Sequence, residues 1–156
     1  MSLIFHILIY VITLTIFIYA SLLLKPRIWL HRIPPVVRTK VNGETLEEKR
    51  WFAVLGVLMG LVFFFYPIAI TALMYSQLHH ILLSLFTFTA GFAIWDTIIL
   101  NLFIFCGVTP KPMIIEGTSK HDYKDKVYHL KSGIKGLLMP VVYSVVVGLI
   151  FQIIKP

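Results

Sequence analysis

A single cysteine, Cys106, stands among 156 residues. No intrachain disulfide can form, and no cysteine-based metal motif can be assembled. Charge is thin as well, at 13% of residues, and acidic residues are the scarcer sign: seven Asp and Glu against fourteen Lys and Arg. The chain contains no HExxH, no GxSxG and no glycine-rich loop of the kind that cradles phosphate, so the commonest hydrolase and nucleotide-binding signatures are excluded. No cofactor is expected. The net charge of +7 is not spread as a nucleic-acid footprint would be. It sits in two segments, which membrane topology already explains, so no nucleic-acid partner is expected.

What the chain has in quantity is apolar surface. Hydrophobic residues make up 58% of it and the mean hydropathy is +0.88. A soluble domain this short could not bury so much, so lipid must be the solvent for most of it. Four runs are long enough to cross about 30 Å of hydrocarbon at 1.5 Å per residue. They are 3–24, 51–74, 81–105 and 137–154, in one domain over residues 1–156. The first carries no Lys or Arg before it and is too long for a secretory signal, so it reads as a retained helix.

The polar segments 25–50 and 107–136 hold seven and six of the fourteen basic residues; Lys155 is the remaining one. With four spans both segments fall on one side, and the positive-inside rule makes that side cytoplasmic. The expected location is a bacterial cytoplasmic (inner) membrane, with both termini and the 75–80 turn outside. Pro26, Pro34 and Pro35 forbid one continuous helix in the first segment. There Thr45-Leu-Glu-Glu48 is a capping box that starts the second helix near Leu46. In the second segment, Tyr123, Val127, Leu130 and Ile134 recur at helical spacing, with Lys124, Lys126, Lys131 and Lys135 around them. This predicts an amphipathic interfacial helix over 121–135. The fold class is therefore an all-α membrane protein: four transmembrane helices with a cytoplasmic amphipathic interfacial helix.

Several phrases together, Lys25-Pro-Arg-Ile-Trp-Leu-His31, Glu47-Glu-Lys-Arg50, Trp95-Asp96, Glu116-Gly-Thr118 and Tyr123-Lys-Asp125 with His129, carry a resemblance. The chain resembles an uncharacterised family of small four-span bacterial membrane proteins, over most of its length. The resemblance implies architecture and no chemistry. At Arg32 the chain departs from the acidic residue those proteins tend to carry.

The candidate site residues begin with Asp96, the one charge in the third span, about 13 Å from the Phe105 end. A carboxylate at that depth costs about 2.5–3.5 kcal/mol on insertion scales, so it implies a packed or wet interior face. Two readings stay open: a proton or cation site, or a neutral aspartic acid whose hydrogen bond fixes helix packing. Thr15, Gly60 and Ser144 are expected at the same depth, while an α-helical wheel turns Asn101 about 140° away from Asp96. Gly56 and Gly60, and Gly148 four residues after Ser144, read as small faces for helix packing. Asp125 and His129 lie one turn apart and suit a carboxylate-oriented base, or an ordinary surface pair. Arg27, Arg32, Lys124 and Lys131 with Trp29 suit anionic phospholipid headgroups. His6, His79 and His80 are the remaining metal candidates, though adjacent histidines diverge on a helix; polar interface residues are the better reading, and no metal is expected.

Three function classes follow. One is a small permeation or carrier subunit, a homo-oligomer, using Asp96. Another is a non-catalytic membrane scaffold or accessory subunit held by the glycine faces. The third, ranked below them, is a membrane enzyme acting on lipid-like substrates at the cytoplasmic face through His129 and Asp125, a reading that a cytoplasmic cleft joining them to Lys111 would favour.

Overall fold

Ser2 opens the first helix, its hydroxyl accepting the amide of Phe5 at 3.4 Å, and α1 runs over Leu3–Leu24. The computed structural model describes residues 2–154, so Lys155 falls outside the described residues. Tyr10, Leu14, Ile18 and Leu22 recur every four positions and are buried against the bundle. Ile4, Leu8, Ile12 and Ile16 recur the same way and are exposed. A helix apolar on both faces, with one face uncovered, is what a lipid solvent selects.

Beyond Lys25 the prolines act as the sequence implies. The chain forms a 3-10 turn, Pro26–Arg32, and then a short helix, α2, Pro35–Lys40. Thr45 and Glu48 close a reciprocal capping box at 3.2 and 2.8 Å, and α3 runs from Leu46 to Met74. After a three-residue turn comes α4, Leu78–Trp95, which continues without a break as a π-helix, Asp96–Val108. Two further 3-10 turns, Lys111–Met113 and Lys120–Tyr123, lead to α5, Lys126–Gly136, and α6, Leu138–Ile154. No strand occurs among the described residues. Four helical stretches are long and apolar enough to cross a membrane: α1, α3, α4 with its π continuation, and the last stretch, whose apolar part is α6.

Pro67 shows how the bundle is tied together. It has no N–H, so the Phe63 carbonyl one turn back loses its helical donor. The Tyr10 hydroxyl from α1 donates to that carbonyl at 3.2 Å, and the Tyr143 hydroxyl from α6 donates to the neighbouring Phe64 carbonyl at 2.5 Å. In a bilayer the freed Phe63 carbonyl must find a protein partner. Together the two hydroxyls fasten α1 and α6 to α3 beside Pro67. Toward the 75–80 turn, Thr71 and Ser84 share a buried hydrogen bond of 2.8 Å that closes the α3–α4 hairpin.

The last two helices lie along α4 in one antiparallel register. Gly148 packs against Leu82, Gly133 against Thr97, and His129 bonds Asn101. Fifteen positions along one partner match fifteen along the other, so α5 accompanies the π-helix and α6 accompanies α4. The amphipathic helix starts at Lys126 because Asp125 caps it, accepting the Tyr128 amide at 2.9 Å. Its Val127, Leu130 and Ile134 are exposed, and its buried residue is His129. The apolar stripe is free for lipid, while the opposite side meets the bundle.

The two basic segments fold onto one another. Lys40 Nζ lies 2.6 Å from Asp122 Oδ1, across 82 positions of sequence. The Lys40 ammonium, helped by the Ser119 amide, holds the Asp122 carboxyl at about 2. A carboxyl lowered in the folded state adds stability above the unfolded value of about 3.9, and that stability is lost as pH falls through the folded value. Between about pH 4 and pH 2 the wild-type melting temperature should therefore fall more steeply than that of Asp122→Asn. Parallel curves would mean the pair contributes nothing to stability.

Candidate functional site

The π-helix determines the site. In an α-helix, positions i and i+5 point apart; in a π-helix they close the hydrogen-bonded ring and come together. Asn101 accordingly stands on the Asp96 side of the helix, not 140° away as an α-helical wheel requires. Its Nδ2 donates to Asp96 Oδ2 at 2.9 Å and to the Asp96 carbonyl at 3.0 Å. Both amide protons are then committed to acceptors. Asn101 Oδ1 is left for His129 Nδ1 at 3.1 Å. Because the amide oxygen can only accept, Nδ1 carries a proton, and in the neutral ring Nε2 then carries the lone pair.

α5 comes close enough for this contact because Gly133 has no side chain. A Cβ there would overlap the side chain of Thr97. His129 is 2% exposed, its ring tilted against Phe105 with centroids 5.6 Å apart, and its Nε2 has no partner among the described residues.

A cavity of about 370 Å³ lies beside this chain of groups. Arg32, Asp96, Asn101, His129 and Ser132 form its polar part. Ile18, Leu22, Met59, Phe63, Phe92 and Leu100 form apolar walls. Gly56 and Gly60 line its α3 side. A Cβ at Gly56 would meet nothing within 4 Å, and one at Gly60 would meet Phe64 of its own helix. Within one chain, then, it is Gly148 that packs on another helix, and the other two open the cavity.

The remaining sequence candidates are placed as follows. Asp125 turns its carboxylate onto the Tyr128 amide, as a helix cap does, and does not pair with His129; Asn101 orients that ring instead. Neither Asp125 nor Lys111 lines the cavity. Thr15 and Ser144 bond carbonyls of their own helices, Val11 and Val141. By the α4–α6 register, Ser144 lies level with about Phe86, far from Asp96. Arg27 is engaged by Glu48 at 2.6 Å, and Trp29 Nε1 donates to Ser21 at 3.0 Å. Arg32, Lys124 and Lys131 are exposed. His6 bonds the Tyr66 hydroxyl at 3.0 Å, while His79 and His80 lie side by side. No group of three metal-ligating His, Cys, Asp or Glu side chains forms among the described residues.

No family model, no curated protein and no solved structure matches this chain.

Proposed function

We propose that this multi-pass membrane protein takes an amphipathic, lipid-like molecule into the cavity beside Asp96. The observation that carries the proposal is the division of the cavity lining. Its polar groups are gathered around Asp96, Asn101, His129 and Arg32, and the rest is aliphatic and aromatic. Its volume falls within the usual range for small-molecule sites, about 300–1,000 Å³. The head group would meet the polar cluster and the chain would lie against Leu22, Met59 and Phe63. Two glycines on α3 leave the space through which such a molecule enters from the bilayer.

A carrier reading asks for a polar route past Asp96 to the opposite face. Tyr10 and Phe88, both fully buried, fill the bundle on that side, with Phe63 and Phe92 against them. That packing favours a binding site over a channel. The test is Gly60→Leu, which places a side chain in the cavity wall where a Cβ meets little else. Protein purified in mild detergent should yield about one extractable lipid-like molecule per chain by mass spectrometry, and Gly60→Leu should lose most of it while melting normally. Equal content in both would overturn the proposal. A changed oligomeric state with unchanged lipid content would favour the scaffold reading and place a second copy on the Gly56–Gly60 face.

The orientation proposed is the one the basic segments imply, with segments 25–50 and 107–136 cytoplasmic and Lys124 and Lys131 facing anionic headgroups. Single cysteines at Asn42 and Ser119 should be shielded from impermeant thiol reagents in intact cells, and one at Gln77 should react. Buried Cys106 gives little background. Reaction at Asn42 from outside would reverse the assignment.

A further inference from the structure

We infer that the head group this site accepts carries a hydrogen-bond donor, and that the ligand class is a lipid with a free hydroxyl. The inference rests on the binding reading above and specifies its substrate class. Its basis is an inventory of donors and acceptors. Asn101 donates both amide protons to Asp96 and cannot be flipped, since its oxygen would then face the two Asp96 oxygens. His129 therefore donates from Nδ1, and its buried Nε2 can only accept. No protein donor among the described residues reaches that nitrogen, which is itself closed off although other atoms of His129 line the cavity, so a ligand reaches it by a shift of the ring or of the wall. Asp96 Oδ2 takes the Asn101 amide, and its Oδ1 makes no hydrogen bond among the described residues and accepts when the carboxyl is ionised.

The polar end of the cavity thus offers an acceptor at His129 and a carboxyl oxygen at Asp96, with Arg32 as the cation lining it among the described residues. A head group able only to accept would leave His129 Nε2 unpaired. A hydroxyl satisfies it, with the ring held from behind by Asn101 and Asp96. Discrimination then follows from the asymmetry of buried hydrogen bonds: a ligand lacking the donor leaves the acceptor desolvated and unmatched.

The experiment uses the full chain in nanodiscs of phosphatidylcholine and reads the change in tryptophan fluorescence, since Trp29, one of the three tryptophans, lines the cavity. The probes are dioctanoylglycerol and the same molecule with its hydroxyl acetylated. The free alcohol should bind about ten- to a hundredfold more tightly, the range one buried hydrogen bond supplies. His129→Phe, which keeps a ring of similar shape, should level the two probes. Equal binding of both probes by the wild type overturns the hydroxyl inference and leaves the binding reading intact. So does failure of both probes in a protein whose extracted lipid lacks a free hydroxyl. Absence of any extractable lipid, with both probes failing, would instead remove the binding reading. Because the first comparison uses the wild type alone, it stands even if the variant does not fold.

Discussion

Asn101→Leu is expected to lower the melting temperature and empty the cavity, although leucine is the better lipid-facing residue. The change strips Asp96 Oδ2 of its donor and His129 Nδ1 of its acceptor, both inside the bundle. A buried group left unpaired costs about 1–3 kcal/mol. Hydrogen bonds between membrane helices average nearer 0.6 kcal/mol, with a maximum of about 1.7, because the chain finds other partners in the bilayer. With two groups orphaned at once, a loss of about 2 kcal/mol is the reasonable middle. Asn101→Asp separates the two halves of the contact. Protonated, the new acid still donates to Asp96; ionised, it places like charges side by side. Its stability should therefore rise as pH falls, and more steeply than that of Asn101→Leu, which adds no second carboxyl beside Asp96. An unchanged melting temperature for Asn101→Leu would mean the π-helical contact is not formed in the bilayer.

Much of the scaffold was legible in the chain. The capping box at Thr45, the helix breaks at Pro26 and Pro34, the length of α1 and the amphipathic period of α5 are local features, set within one or two turns. That Tyr10 satisfies the carbonyl which Pro67 leaves free is not legible, because it depends on a helix distant in sequence. The site was half legible. Asp96 is conspicuous because a charge in an apolar run needs a reason. An α-helical wheel puts Asn101 on the wrong side because no residue pattern announces a π-helix, in which i+5 neighbours replace i+4. Spacing alone puts Asp125 and His129 one turn apart, as a carboxylate-oriented base or an ordinary surface pair. The cap geometry took that carboxylate away, and tertiary packing supplied Asn101. Glycine patterns were ambiguous for a physical reason: a missing side chain makes room equally well for a helix, as at Gly148, or for a cavity, as at Gly56 and Gly60.

Gly133 separates those two uses most sharply, and Gly133→Ala is expected to disable the site with a single methyl group. The added Cβ would overlap Cγ2 and Oγ1 of Thr97 and come within 3.0 Å of its Cβ. Threonine is branched at Cβ and has few helical rotamers, and here its hydroxyl is held by the Ala93 carbonyl at 2.8 Å. It cannot swing aside as the end of a leucine can, so α5 must move. Overpacking of this kind costs about 1–3 kcal/mol. A displacement of about 1 Å would also stretch the 3.1 Å bond between His129 and Asn101 beyond hydrogen-bonding range. Lipid content should therefore fall with stability. Gly136→Ala, three residues on in the same helix, meets nothing within 4 Å and should be neutral or stabilising, since alanine is favoured in helices by about 1 kcal/mol. Thr97→Ala, combined with Gly133→Ala, removes the two nearest atoms of the clash and should restore part of both losses. That coupling is measurable as a double-mutant cycle on melting temperature and lipid content. If Gly133→Ala and Gly136→Ala behave alike, α5 does not press against the π-helix, and His129 is not held where Asn101 can orient it.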